Sequence, residues 1–551
     1  MQELPRTRWI GLAGLALGLA LIIVDATIVN VAIPSIIRDL RLELTDAEWI
    51  NTIYSLVFAA LLITVGRMGD LFGRKRMYMA GLFIFLVASL IAARANSGAL
   101  LILARALQGI GAAAILPSTL SSVNAMFRGR ERAIAFGIWG SVIGGMAAVG
   151  PLLGGWLTTD FSWHWAFYIN LPIGAIAATL TLLTVPETRE PSAQRGLDLL
   201  GIALSAIGFA ALVFGLIEGE RYGWWRPTDT FQVGPWTWPS SHVSPVPVAL
   251  ALAALLLPLF TVYQWRRQSQ GRSVLIDLRL FQYRSFRWGN LAALIVSLGE
   301  FGIIFVLPLY LQSVLGYTAF QTGLVLVAVA LGAFLGGPAA ANLAARFGAR
   351  VVVRTGMLLE AVGLLAIIPL LDPTTSGERI APALFLYGVG VGLATAQLTS
   401  IILAEVPTVQ SGQASGMQST TRQVGAALGI AILGTILAAS LSTETESRLR
   451  ALPGFPENQA KQLALATKQS AGQLLLQLRL QPGTEVIVQA IEDAFTVAAH
   501  RTALIAAGFL LIGFVASWLL PDIRPGQDEV PSAKAAIATT SDSSPISRPA
   551  D

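Results

Sequence analysis

GRMGDLFGRKR, residues 66–76, is a short charged segment wedged between two long apolar runs. Its glycines, Gly66, Gly69 and Gly73, let a turn between two helices close tightly. Asp70 and Arg74 stand four apart, so they can pair across that turn or reach toward a neighbouring helix terminus. Working outward, a second stretch stands out: GIWGSVIGGMAAVGPLLGGW, residues 137–156. In a helix, Gly137, Gly140, Gly144, Gly150, Gly154 and Gly155 give several faces on which another backbone can approach closely. Pro151 removes a backbone donor and permits a bend.

The runs around these segments have the composition of a membrane protein. Of 551 residues, 54% are hydrophobic and only 13% charged, against roughly 25% charged in ordinary soluble domains; the mean hydropathy is +0.66. There is no cysteine, which excludes disulfides and thiolate metal sites, and the three histidines, His164, His242 and His500, do not cluster. The chain is therefore not expected to be a metalloenzyme or to carry a cofactor. A pI near 9.6 is a topology signal and not a nucleic-acid signature, because the basic residues sit in short loops between apolar runs.

A hydrocarbon core about 30 Å thick needs roughly 20 apolar residues per span. About fourteen such runs are expected, near 9–33, 47–66, 77–95, 98–126, 134–158, 163–185, 197–219, 245–265, 288–312, 321–344, 351–371, 380–404, 414–440 and 498–520. The first is too long for a cleaved signal peptide and contains Asp25. With the N-terminus cytoplasmic, short cytoplasmic loops hold about twenty Lys and Arg and external ones about six, so both termini are expected in the cytoplasm. Two external segments are longer: the Trp- and Pro-rich 220–244, suited to the membrane interface, and 441–497, a solvated connector with a helical part near 456–480. Residues 522–551, rich in Ser, Pro and Ala, are expected to be disordered.

A faint repeat relates the two halves. ANLAARFGARVVV from Ala341 matches GRMGDLFGRKRMY at the Phe-Gly pair and the following basic residue, with Ala345 in place of Asp70. The whole spacing of residues 66–76 resembles the loop signature of the major facilitator superfamily. GPLLGG, Gly150 to Gly155, resembles the signature of that superfamily's antiporters, which its symporters generally lack. VDATIVNVAIPSI (Val24 to Ile36), LARALQGIGAAAILP (Leu103 to Pro117), WHWAFYINLPIG (Trp163 to Gly174) and GQASGMQSTTRQVGAALGIAILGT (Gly412 to Thr435) are similar to segments of the fourteen-span drug:proton antiporters of the EmrB/QacA type. His164 departs from that pattern, which usually has Arg between the two tryptophans.

The resemblance implies an all-α membrane protein of the major facilitator fold. It would have a six-helix bundle over 1–190, two extra helices over 191–270, a second six-helix bundle over 271–521 and a tail over 522–551. It also implies that the loop locks the outward-facing state through Asp70, with Gly66, Gly69, Gly73, Arg74, Gly150, Pro151, Gly154 and Gly155 serving conformational gating.

Ionisable groups at membrane depth cost roughly 2.5–3.5 kcal/mol on insertion scales, so each is a functional candidate. Asp25, Arg105, Glu300 and Glu360 are the clear cases. Burial favours the neutral form of a carboxyl and a nearby cation the charged form, so a carboxylate alternating between such surroundings can carry a proton. Arg105 and Gln108 lie one turn apart, and the resemblance assigns that arginine to proton coupling together with Asp25. Glu300 and Glu360 are candidates for binding a substrate or cation. Arg422 is expected near a helix end, where snorkelling explains it.

The expected function is proton-coupled export of amphipathic, cationic drugs or toxic compounds by a monomer in a bacterial cytoplasmic membrane. Its partners are those small molecules, protons and the bilayer, and not nucleic acid. Export of lipids is the alternative, and uptake symport of a metabolite is disfavoured by Gly150 to Gly155. No GxxxxGK[ST] phosphate loop occurs, so ATP is not the direct energy source and no enzymatic activity is expected.

Overall fold

The computed structural model describes residues 7–42, 44–189, 196–233, 236–239, 242–470 and 472–522. The expected tail, from residue 523 on, lies outside the described residues, as does the connector 190–195.

Among the described residues, thirteen helices are long and apolar enough to cross a membrane, and a bent pair makes a fourteenth. In chain order they are α1 (Arg8–Leu40), α2 (Leu44–Phe72), α3 (Arg74–Ala92), α4 (Gly98–Met126), α5 (Gly129–Asp160), α6 (Asn170–Thr184) and α7 (Leu199–Ile217). There follow α8 (Pro245–Ser269), α9 (Arg284–Ser313), α10 (Ala319–Phe347), α11 (Ala349–Ile367), α12 (Gly377–Ile402), α13 (Ser411–Arg450) and α14 (Glu485–Ala516). The bend is in α5, 41° between Gly129–Met146 and Val149–Thr158. Pro151 cannot donate to the carbonyl four residues earlier, which places the break where α5 turns.

Helix starts are set by local chemistry. Ser97, Asp198 and Ser244 cap α4, α7 and α8 by accepting backbone N–H groups, and Thr318 with Gln321 forms a capping box on α10. At α3 the carboxylate of Glu187 takes the N–H groups of Lys75 and Arg76, at 3.2 and 3.1 Å, an anion at a helix N-terminus. The repeat seen in the sequence has a backbone counterpart. Gly73 precedes α3 with φ 109°, and Gly348 precedes α11 with φ 89°, a left-handed region that other residues avoid.

Helices α1 to α6 pack among themselves, as do α9 to α14, and the two sets meet along α5 against α10 and α2 against α13. The inserted helices α7 and α8 pair with each other, and α7 also lies against α2 and α13. The outer row of α8, Leu252, Leu255, Leu259 and Val262, is exposed, which suits contact with lipid tails.

The two long external segments have more structure than composition shows. The polar stretch 441–497 is not one long connector, because α13 runs on to Arg450 and α14 begins at Glu485. Between them lie two short helices, Glu457–Gln469 and Leu474–Leu478. The Trp-rich segment also has an order of its own: a two-stranded hairpin, Gln232–Val233 with Trp236–Thr237, whose Phe231, Trp236 and Trp238 pack edge to face. It is joined to the first bundle through Trp49 against Phe231 and by Glu218, whose carboxylate accepts the Thr52 hydroxyl at 2.6 Å. Burial pushes the Glu218 carboxyl up, opposed by Thr52 and by Arg221.

Candidate functional site

The first site forms where α4 and α6 point polar side chains at a carboxylate of α1. Asp25 of α1, fully buried, accepts a hydrogen bond from Arg105 of α4 on one oxygen. Its other oxygen accepts the amide groups of Gln108 and Asn170, both at 2.9 Å. Arg105 also donates to Gln108 Oε1 at 2.8 Å and, through Nε, to the carbonyl of Ile50 at 3.1 Å. Its guanidinium lies 4.2 Å from the centre of the Tyr54 ring, a cation–π contact. Ser89 of α3 closes the network by accepting from Gln108 and Asn170 at 2.9 and 3.1 Å.

Sequence reasoning brought Asp25, Arg105 and Gln108 together and missed Ser89, Asn170 and Tyr54. Small polar residues are ordinary in apolar helices, so nothing in composition marks Ser89 or Tyr54. Asn170, which opens α6 within the FYINLPIG segment, is the one that a polar residue at the mouth of a span could have flagged.

The second site lies in the C-terminal bundle. Glu300 of α9 accepts Arg422 of α13 at 3.2 Å on one oxygen and the Thr395 hydroxyl of α12 at 3.2 Å on the other. Arg422 is therefore not a snorkelling end residue: it pairs with a buried acid. Its helix starts at Ser411, so Arg422 sits eleven residues in, about 16 Å along the axis. Glu360 of α11 is fully buried within electrostatic reach of Glu300 and Arg422, and neither of its oxygens accepts a hydrogen bond from the described residues.

The third site joins the two bundles at the end where α2 gives way to α3. Asp70, buried, accepts the backbone N–H groups of Gly412 and Gln413 at 2.8 and 3.0 Å. These are the first free donors of α13, so the carboxylate meets the positive end of a 40-residue helix. Arg74 pairs with Asp70 at 3.1 Å and donates to the carbonyl of Thr408. A Cβ on Gly66 would stand 2.4 Å from the Gly412 carbonyl oxygen, and one on Gly412 would stand 2.5 Å from Asp70. The backbones of α2 and α13 are thus in direct contact there. Gly69 has open space around it, with only the Arg74 side chain within 4 Å, so neither packing nor a positive φ calls for a glycine there.

The glycines of α5 divide among three neighbours, with Gly140 pressing on α12 at Ala396. Gly150 and Gly154 press on α1, at Thr27 and Ile28, whereas Gly137 and Gly155 press on α10, at Gly337 and Phe320. Pro151 and Leu152 lie against Gly323 of α10.

Residues 15–430 match the family model described as Major Facilitator Superfamily. The chain belongs to the major facilitator superfamily. It is a membrane transporter, not an enzyme, and it has that superfamily's fold. Among its relatives is the multidrug resistance protein Stp of Mycobacterium tuberculosis, 35% identical over 81% of this chain and 79% of that protein. Another is the puromycin resistance protein pur8 of Streptomyces alboniger, 33% identical over 90% of this chain and 94% of that protein. Of solved structures, the human organic anion transporter MFSD10 aligns with a TM-score of 0.55 at 14% identity, covering 93% of this chain and all of that one, which speaks to the fold alone.

Proposed function

We propose that the chain is a fourteen-span proton-coupled exporter of amphipathic cationic compounds, working as a monomer in a bacterial cytoplasmic membrane with both termini in the cytoplasm. Drug and antibiotic resistance proteins among the relatives support export. The observation that carries proton coupling is the Asp25 network, in which one fully buried carboxylate holds an arginine and two amides. A buried ion pair is stable only while both partners stay charged. Protonating Asp25 neutralises it and frees Arg105, so the network has two arrangements that a proton selects. Moving one charge through 100 mV supplies about 2.3 kcal/mol, sufficient for export against a modest gradient.

The Asp70 lock supports a cycle in which the cytoplasmic end closes through α2 against α13, with the glycine contacts of α5 as the pivot. Glu300 is read as the attractor of cationic cargo, in exchange for Arg422, the partner with residual exposure at 11% of its side chain.

The experiment is flux in inverted membrane vesicles with cationic dyes, anionic drugs and lipids, with and without a pH gradient. Uptake of the cationic dyes that collapses with the gradient is expected. Transport of lipids in preference to dyes would replace the cargo assignment, and dye uptake indifferent to the gradient would overturn the coupling.

Substituting Glu300→Gln keeps shape while removing charge, and a carboxylate holds a cation more strongly at low dielectric than in water. Apparent affinity for a cationic dye is expected to fall, with affinity for a neutral compound little changed. Equal losses for both would show that Glu300 does not select cations.

Orientation can be read with single cysteines in this cysteine-free chain. A cysteine at exposed Arg128 should resist an impermeant reagent applied to intact cells, while one at Trp225, 77% exposed, should react. The reverse pattern would invert the topology.

A further inference from the structure

Inside the C-terminal bundle, two buried carboxylates, Glu300 and Glu360, gather around the guanidinium of Arg422. Glu300 is satisfied by Arg422 and Thr395. Glu360 has no hydrogen-bond donor among the described residues on either oxygen, although it is fully enclosed. Gly390 of α12 gives its side chain room: a Cβ at that glycine would lie 2.8 Å from Glu360 Cγ. Tyr387, one turn before Gly390, is buried with a hydroxyl that also has no partner among the described residues.

The charged surroundings of Glu360 are few. Glu300 on α9 and Arg422 on α13 act on it, and Tyr387 on α12 faces it. The titratable groups of α14 are engaged elsewhere, Glu485 with the Gly483 N–H, Glu492 with Arg479, Asp493 with Arg448, Arg501 with Glu444 and His500 with the Leu371 carbonyl. On α10 only Arg346 is charged, and it lies over the ring of Phe347 at the helix end.

Two ionised carboxylates beside one guanidinium would leave a net negative charge among buried side chains. An unpaired buried charge is so costly that the group neutralises instead, and like charges that share a site cannot both stay ionised. We propose that Glu360 is a second proton-carrying site, separate from Asp25, which holds its proton while Arg422 is engaged by Glu300 and releases it when a cation takes the place of Arg422. The second clause rests on the reading of Glu300 as the attractor of cationic cargo; the first does not.

The step is a proton transfer. The O–H bond of the Glu360 carboxylic acid breaks, its electron pair stays on the carboxylate, and the proton leaves to water on the side where Arg422 is partly exposed. Arg422 turns from Glu300 to the new carboxylate. One positive charge enters and one leaves, so the net charge of the site is unchanged.

The test uses the purified full-length protein and two readouts. Infrared spectra distinguish the carbonyl stretch of a protonated carboxylic acid from the bands of a carboxylate. The wild type is expected to show a protonated-acid component at neutral pH that Glu360→Gln lacks, and Arg422→Gln should increase that component by leaving both acids unpaired. Identical spectra for wild type and Glu360→Gln would overturn the proton site, as would no gain in Arg422→Gln. In weakly buffered detergent solution with a pH indicator, binding of tetraphenylphosphonium to wild type should release about one proton more than binding to Glu360→Gln. Equal release from both would overturn the exchange. Should tetraphenylphosphonium bind none of the proteins, the cationic-cargo reading and the exchange built on it fail together, while the infrared comparison still decides whether Glu360 holds a proton. Glu360→Asp, which keeps the acid, should retain the infrared component, and its loss there would count against the proposal. Fluorescence-detected size exclusion on each variant confirms that the compared samples are folded.

Discussion

Asp25→Asn is expected to abolish gradient-driven export while leaving the protein in the membrane and able to exchange substrate downhill. An asparagine can still accept the Gln108 and Asn170 amides with its carbonyl, but its NH₂ group then faces the Arg105 guanidinium, donor against donor. The arginine keeps Gln108 Oε1, the Ile50 carbonyl and the Tyr54 ring, so the bundle has means to stay folded even though breaking a buried pair costs about 3–5 kcal/mol. What is lost is the protonatable group. Arg105→Ala should have the same transport phenotype from the other side, because Asp25 then lacks the charge that distinguishes its two states. The comparison is dye uptake under an imposed pH gradient against dye exchange without one. Undiminished gradient-driven uptake in both variants would remove Asp25 and Arg105 from the coupling machinery.

Asp70→Asn is expected to open the end at which α2 meets α13. The carboxylate accepts two backbone N–H groups and an arginine at once, and hydrogen bonds to charged groups are worth about 1.5–3 kcal/mol each. An asparagine would present its NH₂ to one of the N–H groups of Gly412 and Gln413, and it would no longer neutralise Arg74. Loss of even one such bond shifts the closed-to-open equilibrium about ten- to a hundredfold toward open. Spin labels at exposed Arg76 and Arg346, one on each bundle at that end, would report this as a longer distance in the variant. Gly412→Val should do the same by sterics, since its Cβ would meet the Gly66 carbonyl at 2.3 Å. Unchanged distance distributions in both variants would show that this contact does not hold the gate.

Much of this architecture was legible in the sequence because the bilayer restricts the choices: runs long enough to span it must be helices. The Asp70 and Arg74 pair followed from a spacing of four. The main partner of Asp70 did not, because the N–H groups of Gly412 and Gln413 are backbone, identical at every residue, and lie some 340 positions away. Arg422 was misplaced for a related reason. Its span begins with GQASG, whose small and polar residues hide the helix start at Ser411, so Arg422 read as closer to the helix end than it is. The same polar bias explains the C-terminal region, where α13 and α14 project past the apolar run into what composition alone marks as a connector. Glu300 and Glu360 were each visible as charges in apolar helices. Their sharing of one arginine was not, since it depends on how α9, α11 and α13 are arranged around one another.

The most direct measurement of the central claim is proton movement during substrate transport. With the purified transporter in liposomes that enclose a pH indicator, addition of tetraphenylphosphonium outside, with no imposed gradient, should alkalinise the lumen as the cation enters and protons leave, and Asp25→Asn should not. Cation entry with no change in lumenal pH, or an equal pH change in Asp25→Asn, would contradict proton exchange through the Asp25 network.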